Sequence, residues 1–406
     1  MRGSSRPSTP AARKKDCKMT KPIQMNMAEI TRLMRAGQLS EATQMIQTGL
    51  GSGGIGAAPD AAPGAGAGAS APDLPDMQAL LSNLRLPGMG GGGLTGGLPG
   101  GLAGGLSGGL TGGFGAGLPG ARASGPAPVL PEGAEWTWRR HQAAGETRDL
   151  RLYVPASLAG EPAAGLLLLL HGCTQDPDDF ARGTGILEAA EQHRVIVIAP
   201  KQPSQANMNR CWNWFEARHG GTDSGEAAFL ADLTRTIAHE FAVPPDLRFA
   251  AGLSAGGAMA VTLGAVFADD FGAVACHSGL PNGAARDMSG AFQAMSQGGS
   301  DRGTGVGCRL FVLHGSTDGT VSPRNGDAVL SQALHRQEGL QRRAADAKLD
   351  GRNVQIGRYR NATGELRIES WRVEGLGHAW SGGNPQGSHT ATGPSATQAM
   401  LKFFLD

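Results

Sequence analysis

The chain has almost no net charge: 36 Lys and Arg against 35 Asp and Glu leave a formal +1 over 406 residues. No basic patch is interleaved with aromatics either, so nucleic acid is not an expected partner. Long apolar runs are also missing. Gly165 to Leu170 is apolar throughout but falls far short of the ~20 residues that span a bilayer; it reads as a buried strand, and no transmembrane segment is expected. The N-terminal tail carries Arg2, Arg6, Arg13, Lys14, Lys15 and Lys18 with no apolar h-region behind them, so no secretory signal is visible. Cysteines are few and no pair has metal-ligand spacing, which leaves no cysteine-based metal site to expect. Cys17 falls in the tail. Cys173, Cys211, Cys276 and Cys308 fall in the globular part, where free thiols and at least one bridge are both open.

Glycine, by contrast, is abundant: 65 residues, many of them between Gly49 and Gly120. That region has almost no charged, aromatic or β-branched residues and cannot bury enough apolar surface to offset the entropy of ordering its backbone. Residues 1–25 therefore read as a disordered basic tail and 26–50 as a helical hairpin. Residues 51–121 read as a flexible Gly/Leu/Ala-rich linker with a short helix near 76–86, and 122–406 as the folded domain. In the hairpin, Asn26 to Glu29 has capping-box spacing. Met27, Ile30, Leu33 and Met34 form one apolar face, and Leu39, Ala42, Met45 and Ile46 a second. So small a hairpin needs a partner for these faces: another copy, the chain's own domain or a hydrophobic surface. In the linker, Leu94, Leu98, Leu102, Leu106, Leu110, Phe114 and Leu118 recur every four residues, a tether with evenly spaced apolar side chains.

From Glu135 the texture changes. Trp136 to Trp138 and Leu150 to Pro155 alternate around Gly145, which suggests an edge hairpin. Strands are expected at 165–170, 195–199, 247–251, 271–277, 309–314 and 367–373, with helices at 185–192, 226–241 and 395–404. Strands that read as unbroken apolar runs and alternate with helices predict an α/β fold, its mostly parallel sheet covered by helices on both faces.

The domain turns on Gly252-Leu253-Ser254-Ala255-Gly256, an apolar strand running into a glycine-bracketed serine and then into small, helix-compatible residues. This is the nucleophile-elbow pattern, in which side chains at the flanking glycine positions would collide with the neighbouring strand or helix. An elbow serine needs an acid, a base and an oxyanion hole, and in sheets of this type the chain order is Ser, Asp or Glu, His. Asp318 follows the strand Leu310 to Leu313, with Asp327 the nearest substitute, and His378 lies in a glycine-rich loop after the last strand. His277 and His314 suit loop support. The oxyanion hole is expected from the backbone N–H groups of Ala255 and Cys173, Thr174 being the neighbouring candidate. Trp212, Trp214 and Trp380 are candidates to line an ester groove, or else plain core. The chemistry calls for no metal and no organic cofactor.

His171-Gly172-Cys173-Thr174-Gln175, Arg210 to Phe215, Gly252 to Gly257, His314 to Val321 and Gly377 to Gly383 together resemble the polyhydroxybutyrate depolymerase family of α/β-hydrolase esterases, over roughly residues 136–405. The resemblance implies a serine esterase acting on poly(3-hydroxybutyrate)-type polyester through an acyl-enzyme. Feruloyl- or acetylxylan-type carbohydrate ester hydrolysis is the alternative, and a non-enzymatic granule-surface protein the distant one. It also implies a Cys173–Cys211 disulfide in exported members. Without a visible signal or a recognisable substrate-binding or fibronectin-like module after the catalytic domain, the expected location is cytoplasmic or on polyhydroxyalkanoate granules, with extracellular the alternative. The hairpin and tether are then candidate granule contacts.

Overall fold

The structure is a computed structural model and describes residues 127–406. The expected basic tail, hairpin, linker and short helix, with Cys17, lie outside the described residues. The first elements are strands β1 (Glu135–Ala143), β2 (Glu146–Val154) and β3 (Gly165–Leu170), then helices α1 (Pro177–Thr184) and α2 (Ile186–His193). Next come β4 (Val195–Pro200), α3 (Gly225–Glu240), β5 (Arg248–Leu253), α4 (Ala255–Val266) and β6 (Ala273–His277). After these follow α5 (Met288–Gln297), β7 (Arg309–Gly315), α6 (Arg324–Arg336), β8 (Gln341–Leu349), β9 (Arg352–Arg360) and β10 (Leu366–Val373). The short strands β11 (Trp380–Ser381) and β12 (Thr390–Ala391) and helix α7 (Ala396–Leu405) complete the order.

Ten strands form one sheet in the order β1-β2-β4-β3-β5-β6-β7-β10-β9-β8. The six strands from β4 to β10 run parallel, while β1, β2, β9 and β8 add antiparallel edges. The apolar runs explain the layering. In β3, Leu166, Leu168 and Leu170 face one core with Ile196 and Ile198 of β4, while Leu167 and Leu169 face the other with Val195 and Val197. Period two in a strand with no polar side means both faces are covered. Helices α3, α4, α5 and α6 contribute to the first core, and α1, α2 and α7 to the second. Among the described residues, no helix is long and apolar enough to cross a membrane.

The edge hairpin is anchored to the second layer by one carboxylate. Asp178, in the first turn of α1 and buried, accepts from Trp136 Nε1 at 2.6 Å and from Arg151 Nε and a terminal guanidinium nitrogen at 3.0 and 3.1 Å. Removing it would take the shared acceptor from three N–H donors beneath the sheet edge. Asp178→Ala is expected to lower the unfolding free energy by about 2–3 kcal/mol, measured by urea denaturation; a loss under ~0.5 kcal/mol would show that the anchor contributes little.

Candidate active site

The elbow is built at the end of β5. Ser254 has φ 57° and ψ −119°, and α4 begins at the very next residue. A Cβ on Gly252 would lie 2.6 Å from both Leu170 O and Gly256 O, and one on Gly256 would fall well inside contact distance of Leu170 O. Only glycine at both positions lets the helix start flush against the end of β3, and a non-glycine residue is held at positive φ only when its surroundings over-determine it.

Each strand end is tied to the next along the carboxyl edge of the sheet. Ser254 N–H donates to His277 O (2.9 Å), Ser278 N–H to Leu313 O (2.9 Å) and Ser316 N–H to Val373 O (2.9 Å). The β7 and β10 loops are stapled further by Thr317 N–H to Leu376 O (3.1 Å) and Gly375 N–H to Ser316 Oγ (2.9 Å). Within this frame His378 Nδ1 lies 2.8 Å from Asp318 Oδ2. The acid's side chain is 0% exposed and the histidine's 14%. Asp318 Oδ1 accepts from the N–H groups of Thr320 (3.0 Å) and Val321 (2.9 Å). Burial alone would raise this carboxyl, but hydrogen bonds from His314 and His378 and the Val321 N–H outweigh it and hold it well below the ordinary carboxylate range. Asp327, the substitute acid, instead pairs with Arg372 on the surface. No hydrogen bond joins Ser254 Oγ to His378; such bonds are often long in unliganded sites and tighten with substrate.

The oxyanion candidates separate cleanly. Thr174 N–H is taken by Asn209 O at 2.6 Å, whereas the N–H groups of Cys173 and Ala255 make no hydrogen bond within the described residues. Gly172 packs against Leu253, which brings this loop to the elbow. Two supports hold it. Cys173 is disulfide-bonded to Cys211, the pairing that the family resemblance implies, while Cys276 and Cys308 are free and buried. His171 donates through Nδ1 to Gly172 O (2.8 Å) and accepts at Nε2 from Gln202 N–H (3.2 Å).

The tryptophans call for a correction: Trp212 and Trp380 do not line a groove. They are 0% and 2% exposed and belong to the two cores. Trp212 lies under His171, ring centroids 5.7 Å apart, and Trp380 stacks on His277 at 4.9 Å. Trp214, 9% exposed, packs edge-on against Phe215. Their work is internal because indoles this deep have no face left for a ligand.

Glu226, Gln202 and His389 were not anticipated. Glu226 accepts from Gln202 Nε2 (2.6 Å), Asn213 N (2.7 Å) and Asn213 Nδ2 (2.8 Å), so it joins the tryptophan loop to the residue that holds His171. A signal existed: Glu226 shares the buried stripe of α3 with Leu230, Leu233 and Ile237, where a lone carboxylate is out of place. His389, with φ 54°, lies 3.5 Å from Thr174 Oγ1 and gives its carbonyl to Trp380 N–H. No periodicity marks it. Among the described residues no three His, Cys, Asp or Glu side chains are grouped to hold a metal ion.

The profile of the family described as "Esterase PHB depolymerase" matches residues 149–353, a span that contains Ser254 and Asp318 and ends before His378. A poly(3-hydroxyalkanoate) depolymerase C of Paucimonas lemoignei is 28% identical over 235 residues, 54% of this chain and 56% of the relative. A poly(3-hydroxybutyrate) depolymerase of Ralstonia pickettii is 27% identical over 273 residues, 62% of this chain and 55% of the relative. The chain thus spans about half the length of these curated relatives. An acetyl xylan esterase from Aspergillus awamori superposes with a TM-score of 0.51 at 17% identity, covering 66% of this chain and 98% of its own, which establishes the shared α/β-hydrolase fold.

Burial pushes His171 down to about 4 and His277 down to about 3. Both fall below the ordinary histidine value near 6.5, so the unfolded chain takes up protons that the folded chain refuses as the pH falls from about 6.5 toward 4. Stability present above pH 6.5 is therefore lost through that window, by about 2 kcal/mol per histidine at pH 5. The melting temperature is expected to fall steeply between pH 7 and 5; a flat profile would mean that these imidazoles are not buried neutral.

Proposed function

Because this chain belongs to the PHB depolymerase family of esterases, whose profile covers half of it, we propose that it is a serine esterase cleaving poly(3-hydroxybutyrate)-type polyester. The observation that carries the proposal is the buried Asp318 carboxylate bonded to His378, on strand ends that backbone bonds tie in sequence to the strained elbow at Ser254. His378 Nε2 takes the proton of Ser254 Oγ as the oxygen attacks the ester carbonyl. Asp318 holds the ring through Nδ1 and stabilises the imidazolium that forms. The developing oxyanion is met by the N–H groups of Cys173 and Ala255, the latter at the positive end of α4. The imidazolium then protonates the departing alkoxide, and a water deprotonated by His378 releases the 3-hydroxyacyl group from the serine. Two relatives named as depolymerases of such polymers support the polyester as substrate.

Ser254→Ala is expected to lower ester hydrolysis by ~10³-fold or more with unchanged circular dichroism, and to abolish labelling by a fluorophosphonate; wild-type turnover in the variant would remove Ser254 from the mechanism. Release of 3-hydroxybutyrate from amorphous polymer is the expected activity. Exclusive release of acetate or ferulate from substituted xylan would instead assign the site to carbohydrate esters.

The proposed place of work is the polyester granule, with the apolar hairpin and the Leu-Gly-Gly tether of residues 26–121 as its contacts. Deleting residues 1–121 is expected to reduce co-sedimentation with granules severalfold, and unchanged co-sedimentation would refute that role.

A further inference from the structure

The Asp318 carboxylate faces two histidines. His378 approaches Oδ2 from the β10 loop at 2.8 Å, and His314, from the end of β7, places Nε2 3.4 Å from the same oxygen. His314 Nε2 also lies 2.9 Å from Val321 O, so one ring edge faces both ends of the acid's turn. Its other nitrogen is closed off. Nδ1 is buried and makes no hydrogen bond among the described residues, and α6 passes so near that a Cβ on Gly326 would lie 2.9 Å from it. A proton on Nδ1 would have no acceptor, which costs about 1–3 kcal/mol, whereas a proton on Nε2 has Val321 O at 2.9 Å and the Asp318 carboxylate charge at 3.4 Å. The tautomer is thereby set by packing.

We propose that His314 is a positioning residue for the esterase: its Nε2–H holds the Asp318 turn through Val321 O and shares Oδ2 with His378, limiting how strongly the acid favours the imidazolium. The proposal rests on the roles given above to Asp318 and His378. Two donors on one carboxylate oxygen compete for its charge. With His314 present, Oδ2 stays anionic but is less available to His378; without it, His378 faces a fuller negative charge and the protonated imidazole gains.

The other ionisable groups around the pair are few. His378 is also faced by His277 from β6 and His389 from the segment before β12. Around His314 stand His277, then Asp327 of α6 paired with Arg372 of β10, and Arg342 and Asp346 of β8 in the cleft that His314 helps to line. Burial pushes His277 down to about 3, and it makes its own bonds to Ser278 Oγ and Ser381 N–H. Among the described residues, Asp318 is the carboxylate within ion-pair distance of both His314 and His378.

The test is the pH dependence of kcat/KM on a soluble short-chain ester, whose acid limb reports the free enzyme's base. In His314→Leu the limb is expected to move up by about 0.5–1 pH unit, with kcat reduced about tenfold and KM little changed. His314→Gln, which keeps an N–H donor, should restore the limb to within about 0.2 unit of wild type. A folded His314→Leu whose limb coincides with wild type would overturn the proposal, since loss of packing alone lowers kcat without moving it. Should His314→Leu not fold, 15N-histidine spectra of the unmodified full-length chain at pH 8 decide: Nε2 protonated and Nδ1 bare is expected, and the opposite tautomer overturns it. Those spectra are independent of turnover, so an inactive wild-type chain would count against the esterase reading and not against the tautomer.

Discussion

A Cβ on Gly256 would run into the Leu170 carbonyl and one on Gly252 into the Gly256 backbone, and the arrangement around Ser254 exists because neither atom is there. Helix α4 can then begin directly beside the end of β3, the strand whose following loop carries Cys173. Ser254 is forced to φ 57° in the turn between strand and helix, a conformation costing about 1–3 kcal/mol. Its surroundings offset that cost. Almost all of α4 is buried and packs into the core beneath the sheet, and Ser254 N–H is bound by His277 O. The strained residue is pinned between a core helix and a strand ladder, so local relaxation would mean moving both.

Once the serine is fixed, the remaining groups reach it through strand order. β5, β6, β7 and β10 are neighbours in the sheet, and a backbone bond joins each loop to the next. The acid and the histidine, 60 residues apart in sequence, therefore leave adjacent strands whose ends are already tied. The electrostatics have the same economy. Asp318 is kept anionic by donors on both of its oxygens, while burial disfavours charge on His171 and His277. An imidazolium formed at His378 would meet one negative charge and, at His277, a neutral ring.

Much of this could be read from the residues. The elbow, its two glycines and the chain order Ser254, Asp318, His378 follow from steric and topological rules, as do the parallel strands β3, β4, β5, β6 and β7 with their apolar runs, while β10 alternates apolar with charged residues. The β8–β9 hairpin was not read. Gln341 to Leu349 is rich in Arg and Ala and exposed on both faces, so neither period two nor β-propensity marks it as a strand. The turn does: Asp350 and Gly351 have φ 44° and 81° between the paired Leu349 and Arg352, and Asp-Gly is the strongest short hairpin signal. Helix α1 carries no pattern for a related reason, being short and polar in sequence yet wholly buried because Asp178 is bound by side chains from β1 and β2, and Asp179 by the backbone N–H and hydroxyl of Ser388 in the β11–β12 loop. Choosing between Cys173 and Thr174 as the proposed oxyanion donor needed the Asn209 carbonyl, which accepts the Thr174 N–H and is a partner that spacing could not identify.

The tryptophan motif supports the loop at Cys173 from within the core. Trp212 is wholly buried, and its indole N–H makes no hydrogen bond among the described residues. Arg148 Nε and Gln202 Oε1 are orphaned in the same network, around a Glu226 that is itself fully buried. A core designed for stability alone would replace such groups with apolar ones. Here each such atom belongs to a side chain whose other contacts support the loop at Cys173: Trp212 under His171, the Gln202 amide on the carbonyl of Cys211, the disulfide partner of Cys173, and Arg148 on the carboxylate that binds Gln202. The disulfide ties the same loop covalently from its far side. An oxyanion hole stabilises charge only if its N–H groups are fixed before the charge develops, so in the proposed mechanism the buried contacts of Trp212, Gln202 and Arg148 behind that loop serve to place the Cys173 N–H.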